Sequence, residues 1–335
     1  MAHVSPTPEK ISARPFADVP PRAPAGFYCL LDEQPTFLVP QRLLKTQSAP
    51  DSQLVVNPRC WFSWRGAPPA EIAPWLESFG ESRGADTAWI TDAATGALQP
   101  FWLGPELRAS LEQATGGKPL PRPADPSIQR VLQFARILID PAAESRCLTE
   151  WSAAIASART HFERGYVPLA GLIHPYHLGA LRRYYRRQIR TGAFRLGDEQ
   201  SALRHVAHND PVARFFHHQL AGVVSAAAGE PVKPSYVYFA SYQGGAELER
   251  HTDREQCEFS ITFCVDFTPE PLAATDWPIR LDTPQGALIV YQAIGDALLY
   301  RGCHVPHYRK RLRQGATSSS IFFHYVRRDF SGPLN

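Results

Sequence analysis

Residues 235–253 read SYVYFASYQGGAELERHTD. Tyr, Val and Phe dominate Ser235–Tyr242, a composition that favours a β-strand. Gln243-Gly244-Gly245 then supplies a turn, and the chain re-enters an extended run that ends in His251-Thr252-Asp253. Side chains two apart on a strand share a face, so His251 and Asp253 project together. An imidazole and a carboxylate so placed can ligate one cation, provided that a third ligand arrives from elsewhere.

Residues 295–315, GDALLYRGCHVPHYRKRLRQG, bring two candidates for that ligand, His304 and His307. Two histidines and one carboxylate on one face leave open positions on an octahedral iron(II), as oxygen-activating non-haem sites require. An His-x-Asp pair arises readily by chance in a chain with 12 histidines. From the residues alone, a solvated or core histidine stays the competing reading.

Working outward, SYVYFASY, FSITFCVDF, GALIVYQ, DALLYR and SSSIFFHYV form a β-rich series after Pro231. Three helical patterns precede it. LTEWSAAIASARTHFERG stops at Gly165, and LGALRRYYRRQIRTG places Leu178, Leu181, Tyr185 and Ile189 on one side. PVARFFHHQLAGVVSAAAG starts at Asn209 or Asp210 ahead of Pro211. Helices followed by strands imply an α+β unit built on a mainly antiparallel sheet pair. The stretch RHVAHND reads as a helix-cap region in which His205 and His208 offer a weaker second metal candidate.

Residues 1–25 are rich in proline and charge and read as a loose arm. Residues 26–120 form a smaller α+β region in which GFYCLL, TFLV, LVV, CWFSW and TAWI read as strands. Five of the seven tryptophans lie there, either as the core of a subdomain or as a docking surface. GGKPLPRPADPS (116–127) has the composition of a linker ahead of the main domain, 141–330.

With 335 residues, 44% hydrophobic and 20% charged, the chain is an ordinary globular protein rather than a disordered one. A net charge of +3 gives no argument for nucleic acid. The six cysteines match no zinc-finger or ribbon spacing and form no CxxC pair. No apolar run approaches a membrane span, and MAHVSPTPEKISARPF lacks the apolar core of a signal peptide. A cytoplasmic location with free thiols is expected.

The HxD segment and its surroundings resemble the 2-oxoglutarate/Fe(II)-dependent oxygenases, above all their prolyl-4-hydroxylase-like branch. There a strand ends in tyrosine, a glycine turn follows, and HxD comes nine residues after the tyrosine, as Tyr242 and His251 do here. Next come a Gly-Asp-apolar strand, a histidine, and a glycine eight residues later, matched by Gly295-Asp296, His307 and Gly315. That spacing selects His307 over His304. The likeness spans about residues 148–328 and implies a double-stranded β-helix (jelly-roll, cupin-like) core with packing helices. It also implies Fe(II) held by His251, Asp253 and His307, with 2-oxoglutarate and O2 as cosubstrates and Tyr242 as a cosubstrate contact.

One position departs from the pattern. The cation that pairs with the distal carboxylate of 2-oxoglutarate is expected ten residues after the last histidine, and Thr317 stands there. Arg309, two beyond His307, shares its face if the strand continues and is the candidate replacement; a solvated basic edge is the alternative. Gln256, and less so Arg254, are candidate substrate contacts. The resemblance implies hydroxylation of an amino-acid side chain in a peptide or protein, or of a small metabolite. Retention of Asp253 argues against halogenation. The rivals are a non-catalytic metal-binding β-barrel module and a nucleic-acid-oxidising relative. The arginines at 182, 183, 186, 187 and 190 read more simply as a solvated helix face.

Overall fold

The computed structural model describes residues 27–31, 38–43, 53–79, 86–122 and 124–334. The expected arm, 1–25, and the start of the TFLV strand lie outside the described residues. The chain runs β1 (Val55–Val56), β2 (Cys60–Phe62), α1 (Ala73–Phe79), β3 (Thr87–Thr91), β4 (Leu98–Trp102), α2 (Pro105–Ser110), α3 (Pro126–Phe134) and β5 (Leu138–Ile139). There follow α4 (Pro141–Phe162), β6 (Tyr166–Ala170), α5 (Pro175–Arg190), β7 (Arg195–Leu196), β8 (Arg204–His208) and α6 (Pro211–Ala228). Eight strands complete it: β9 (Val232–Gln243), β10 (Leu248–His251), β11 (Phe259–Thr268), β12 (Ile279–Thr283), β13 (Gly286–Val290), β14 (Asp296–Tyr300), β15 (His307–Arg309) and β16 (Thr317–Arg327).

Those eight strands divide between two antiparallel sheets, alternating except where β12 and β13 form a hairpin within one of them. One runs β10-β15-β12-β13; the other contains β14-β11-β16-β9, extended by β6 at one edge and by β8 and β7 at the other. This is the double-stranded β-helix order, so the expected α+β jelly-roll core is present. Its large sheet is polar-facing on one side and apolar on the other. Ser260, Thr262 and His324 look toward the small sheet, whereas Val237, Phe239, Ile321 and Phe323 look outward to the helices.

Local chemistry sets the helix starts. Asp140, His174 and Asp210 each accept a backbone N–H at the first turn, and a proline follows each as the first helical residue. Asp140 moves the start of α4 seven residues ahead of the expected Leu148. RHVAHND is mostly strand: Arg204–His208 pairs antiparallel with β9, and only Asp210 caps α6.

In the N-terminal region, CWFSW and TAWI contain the strands β2 and β3, and β4 joins them in a three-stranded sheet. GFYCLL contributes an isolated bridge, Leu30 to Trp102, rather than a strand. This region shares its core with the rest of the chain. Phe27 packs edge-on to Tyr184 at 5.9 Å, Trp75 to Phe215 at 5.0 Å, and Phe101 stacks on His177 at 4.6 Å. The tryptophan-rich stretch is thus largely packing: Trp89 and Trp102 are fully buried. No helix among the described residues is long and apolar enough to cross a membrane.

Candidate metal centre and anion pocket

His251 ends β10 and His307 opens β15, and the two are direct register partners across that ladder. Their ring centroids lie 4.4 Å apart. Asp253 follows on the loop after β10, where its backbone N–H donates to the Gly302 carbonyl at 2.9 Å. Its Oδ1 sits 3.5 Å from His307 Nε2 and 3.8 Å from His251 Nε2. Ligand atoms from all three residues lie within 4.8 Å of one another. His304 is exposed on the turn before His307 and is outside this group.

Each histidine is oriented through its other nitrogen. Nδ1 of His251 donates to the Glu249 carbonyl at 2.8 Å, and Nδ1 of His307 to the Val305 carbonyl at 3.0 Å. A neutral ring so engaged presents its Nε2 lone pair toward Asp253, as a metal ligand must. Burial is the largest influence on His307 and lowers its pKa, which favours that neutral form. The Tyr300 hydroxyl lies 3.3 Å from His307 Nε2. Two imidazole nitrogens and one carboxylate oxygen are a donor set that fits iron(II).

Asp253 is aligned from behind. Ser260 donates its hydroxyl to Oδ2 at 2.7 Å, leaving Oδ1 for the histidines, and Ser260 Oγ also meets His324 Nδ1 at 2.9 Å. Gly302 is required for close approach: a Cβ there would lie 2.4 Å from Asp253 Oδ2 and 2.5 Å from Ser260 Oγ. Asp253, Cys257 and His324 form a second group of converging ligand atoms. The Ser260 hydroxyl sits between Asp253 and His324 in that group.

Arg309 lies two residues beyond His307 on the same strand and is 5% exposed. Its guanidinium donates to the Trp277 carbonyl and to Gln292 Oε1 at 3.2 Å, and lies 4.8 Å from the Trp277 ring centre. Both acceptors are neutral, and no described carboxylate is in ion-pair range of it. Burial accordingly pulls its pKa down. Gln292 also donates to the Thr262 carbonyl at 2.9 Å, and Thr262 Oγ1 is a buried hydroxyl without a hydrogen-bond partner. A desolvated cation and an orphaned hydroxyl in one neighbourhood suit a carboxylate ligand.

The other sequence candidates fall around this core. Tyr242 is buried 5.0 Å from Trp277, and its hydroxyl accepts from Arg204 at 2.8 Å. Thr317 lines a cavity under α5, on the helix side of the large sheet, and so is placed away from the triad. Gln256 sits in a short 3-10 turn rather than on a strand, so alternation does not aim it at the metal; its Oε1 is buried without a partner. Arg254 is exposed and donates to the Tyr236 hydroxyl at 3.3 Å. The basic run after Arg309 turns outward, where Arg311 meets Glu247 and Arg313 meets Asp276. Ser260, Thr262, Trp277, Gln292, Gly302 and His324 escaped the sequence reading. Ser260, Thr262 and His324 signal only through polarity inside apolar strands, as in FSITF and IFFHY, and the other three carry no such signal.

No family model and no curated protein matches the chain. Solved structures do. A Pseudomonas putida prolyl-4-hydroxylase matches 52% of this chain and 99% of its own, at 16% identity and a TM-score of 0.43. The non-haem α-ketoglutarate-dependent epimerase SnoN from nogalamycin biosynthesis matches 55% and 94%, at 13% and 0.45. A Trichoplax adhaerens prolyl hydroxylase in complex with a hypoxia-inducible-factor peptide matches 53% and 91%, at 10% and 0.44. Over about half its length, the chain is similar to solved 2-oxoglutarate/Fe(II) oxygenases, prolyl-4-hydroxylases among them.

Proposed function

We propose that the protein is a 2-oxoglutarate- and Fe(II)-dependent dioxygenase that hydroxylates a C–H bond of an amino-acid side chain or a small metabolite. The observation that carries this reading is the pairing of two features on one strand. His307 completes a His-Asp-His donor set, and Arg309, one alternation further on, is a buried cation that lacks a carboxylate.

His251, Asp253 and His307 would hold the iron, and Arg309 would take the distal carboxylate of 2-oxoglutarate. Thr262 Oγ1 is a further donor beside it. Trp277, over which the Arg309 guanidinium lies, and Tyr242, 5.0 Å from Trp277, would keep water from the ion pair, which strengthens it. The bound iron supplies oxidative chemistry in which 2-oxoglutarate and O2 give succinate, CO2 and a hydroxylated substrate. Ser260 and Gly302 keep Asp253 oriented, and the Glu249 and Val305 carbonyls keep both histidines in one tautomer.

The burial of Arg309 weighs against the non-catalytic alternative, because it offers a cation where Thr317 cannot. The arginine-rich helix α5 lies on the outer side of the large sheet, which removes the main reason to expect a nucleic-acid substrate. The test is succinate release from iron-loaded protein supplied with 2-oxoglutarate and oxygen. Turnover, even without a prime substrate, that disappears in Asp253→Ala supports the reading. Iron binding with no succinate would contradict it.

A further inference from the structure

A cavity of about 690 Å³ lies between α5 and the outer face of the large sheet, away from the metal centre. That size suits a small ligand. Its roof is a stripe of Arg183, Arg186, Arg187 and Arg190, whose spacing places them on one helix face. Beneath them the sheet changes character. Phe239 and Phe323 present rings to α5 and α6, with Phe239 stacked on Tyr185 at 3.9 Å. Further along the same two strands the outward residues are Ser241, Ser319 and Thr317. A helix packed for stability alone would continue over apolar residues.

The charge is unbalanced. Arg186, Arg187 and Arg190 are exposed, as the solvated face expected from sequence requires, but Arg182 is 0% exposed and binds Asp266 at 2.8 Å and Glu270 at 2.8 Å. Arg186 also binds Asp266, at 2.5 Å. Asp266 thus already accepts two guanidinium groups and the Phe267 N–H. Five guanidinium groups stand against two carboxylates, and Arg183, Arg187 and Arg190 have no ion-pair partner among the described residues. The hydroxyls of Ser319 and Ser241 meet at 2.9 Å, a bond that uses one of their two protons and leaves the other to donate.

We infer that this cavity binds a small phosphorylated ligand, with the arginines neutralising its phosphates and the serine and threonine hydroxyls donating from the floor. Phosphate is favoured over a single carboxylate because about three positive charges lack a carboxylate among the described residues and donors converge from both walls. The site lies apart from the triad, so it stands or falls independently of the oxygenase reading.

Isothermal titration of the iron-free full-length protein with inorganic pyrophosphate, at physiological ionic strength, tests this. Saturable binding of one equivalent is expected, weakened roughly tenfold or more in Arg183→Gln/Arg187→Gln by loss of charge-assisted hydrogen bonds. Arg311→Gln, on the small-sheet side, should bind as the parent does. Arg190→Gln at the exposed helix end serves if the double variant misfolds. Non-saturable binding, or binding unchanged in the α5 variants, would overturn the site. Citrate bound as tightly as pyrophosphate would overturn its assignment to phosphate.

Discussion

The Ser260 hydroxyl donates to Asp253 Oδ2 at 2.7 Å, and this bond decides which carboxylate oxygen faces the two imidazoles. Ser260 itself is buried on β11 and held from its other side by His324. Ser260→Ala removes the anchor and leaves the histidines untouched. The loss expected is about 10- to 100-fold in iron(II) affinity, typical of removing an outer partner of a metal ligand. Competitive titration against a chelator measures it, and unchanged affinity would show that Asp253 needs no such support.

Arg309 is argued to bind the cosubstrate and not the metal. Arg309→Gln should therefore raise the KM for 2-oxoglutarate by roughly tenfold or more, with iron(II) affinity close to the parent's. Arg309→Lys keeps the charge but loses the planar fork and should fall between the two. Steady-state succinate formation against 2-oxoglutarate concentration separates these outcomes. An Arg309→Gln enzyme with an unaltered KM would assign the distal carboxylate elsewhere.

Histidines whose pKa is lowered by desolvation, His217, His218 and His324 among them, should make stability fall in mild acid. Two lie beneath the N-terminal sheet: buried His177 and half-buried His174. His174 accepts the Tyr176 N–H through Nδ1 and donates Nε2–H to the Phe134 carbonyl, so its neutral form is fully used. Desolvation, then the neighbouring His177, hold His174 down at about 3; desolvation holds His177 down at about 4. The unfolded chain titrates near the ordinary value of about 6.5. Between those limits the unfolded state takes up protons that the folded state refuses. Stability is therefore full above about pH 6.5 and declines as pH falls toward 4, on the order of 1 kcal/mol per pH unit for each ring. Urea midpoints at about pH 7 and pH 5 should differ accordingly, and His177→Gln should narrow the difference. Equal midpoints would contradict the desolvation of these rings.

The N-terminal region should not be separable from the oxygenase-like half. Phe27, Trp75, Trp89 and Phe101 cover Tyr184, Phe215 and His177 on α5 and α6. Each large buried aromatic contributes about 1.5–3 kcal/mol. A fragment beginning at residue 121 is expected to aggregate or lose its cooperative melt. A soluble fragment with a sharp transition would instead mark 26–120 as an independent domain.

Much of the β-helix was legible because its strands alternate cleanly and its turns are marked by Gly244-Gly245, Gly295 and Gly315. His251 and Asp253 were legible as a pair from their spacing, although Asp253 lies on the loop after β10 and not on the strand, and the approach of His307 comes from the β10–β15 register. The placement of Gln256 was not legible, because a 3-10 turn interrupts the alternation that would have aimed it. Arg182 looked like one more solvated arginine, since only the distant Asp266 and Glu270 make its burial tolerable. Gly302 carries no local signal and Ser260 only its polarity within FSITF, since each owes its importance to an atom brought close by the fold.

The most direct measurement is an anaerobic titration of iron(II)-loaded protein with 2-oxoglutarate, followed by visible absorption. Chelation of the cosubstrate by an iron held in the His251–Asp253–His307 set should produce a saturable charge-transfer band, absent in His251→Ala and right-shifted in concentration in Arg309→Gln. A parent protein that binds iron(II) yet develops no band at any 2-oxoglutarate concentration would contradict the oxygenase assignment.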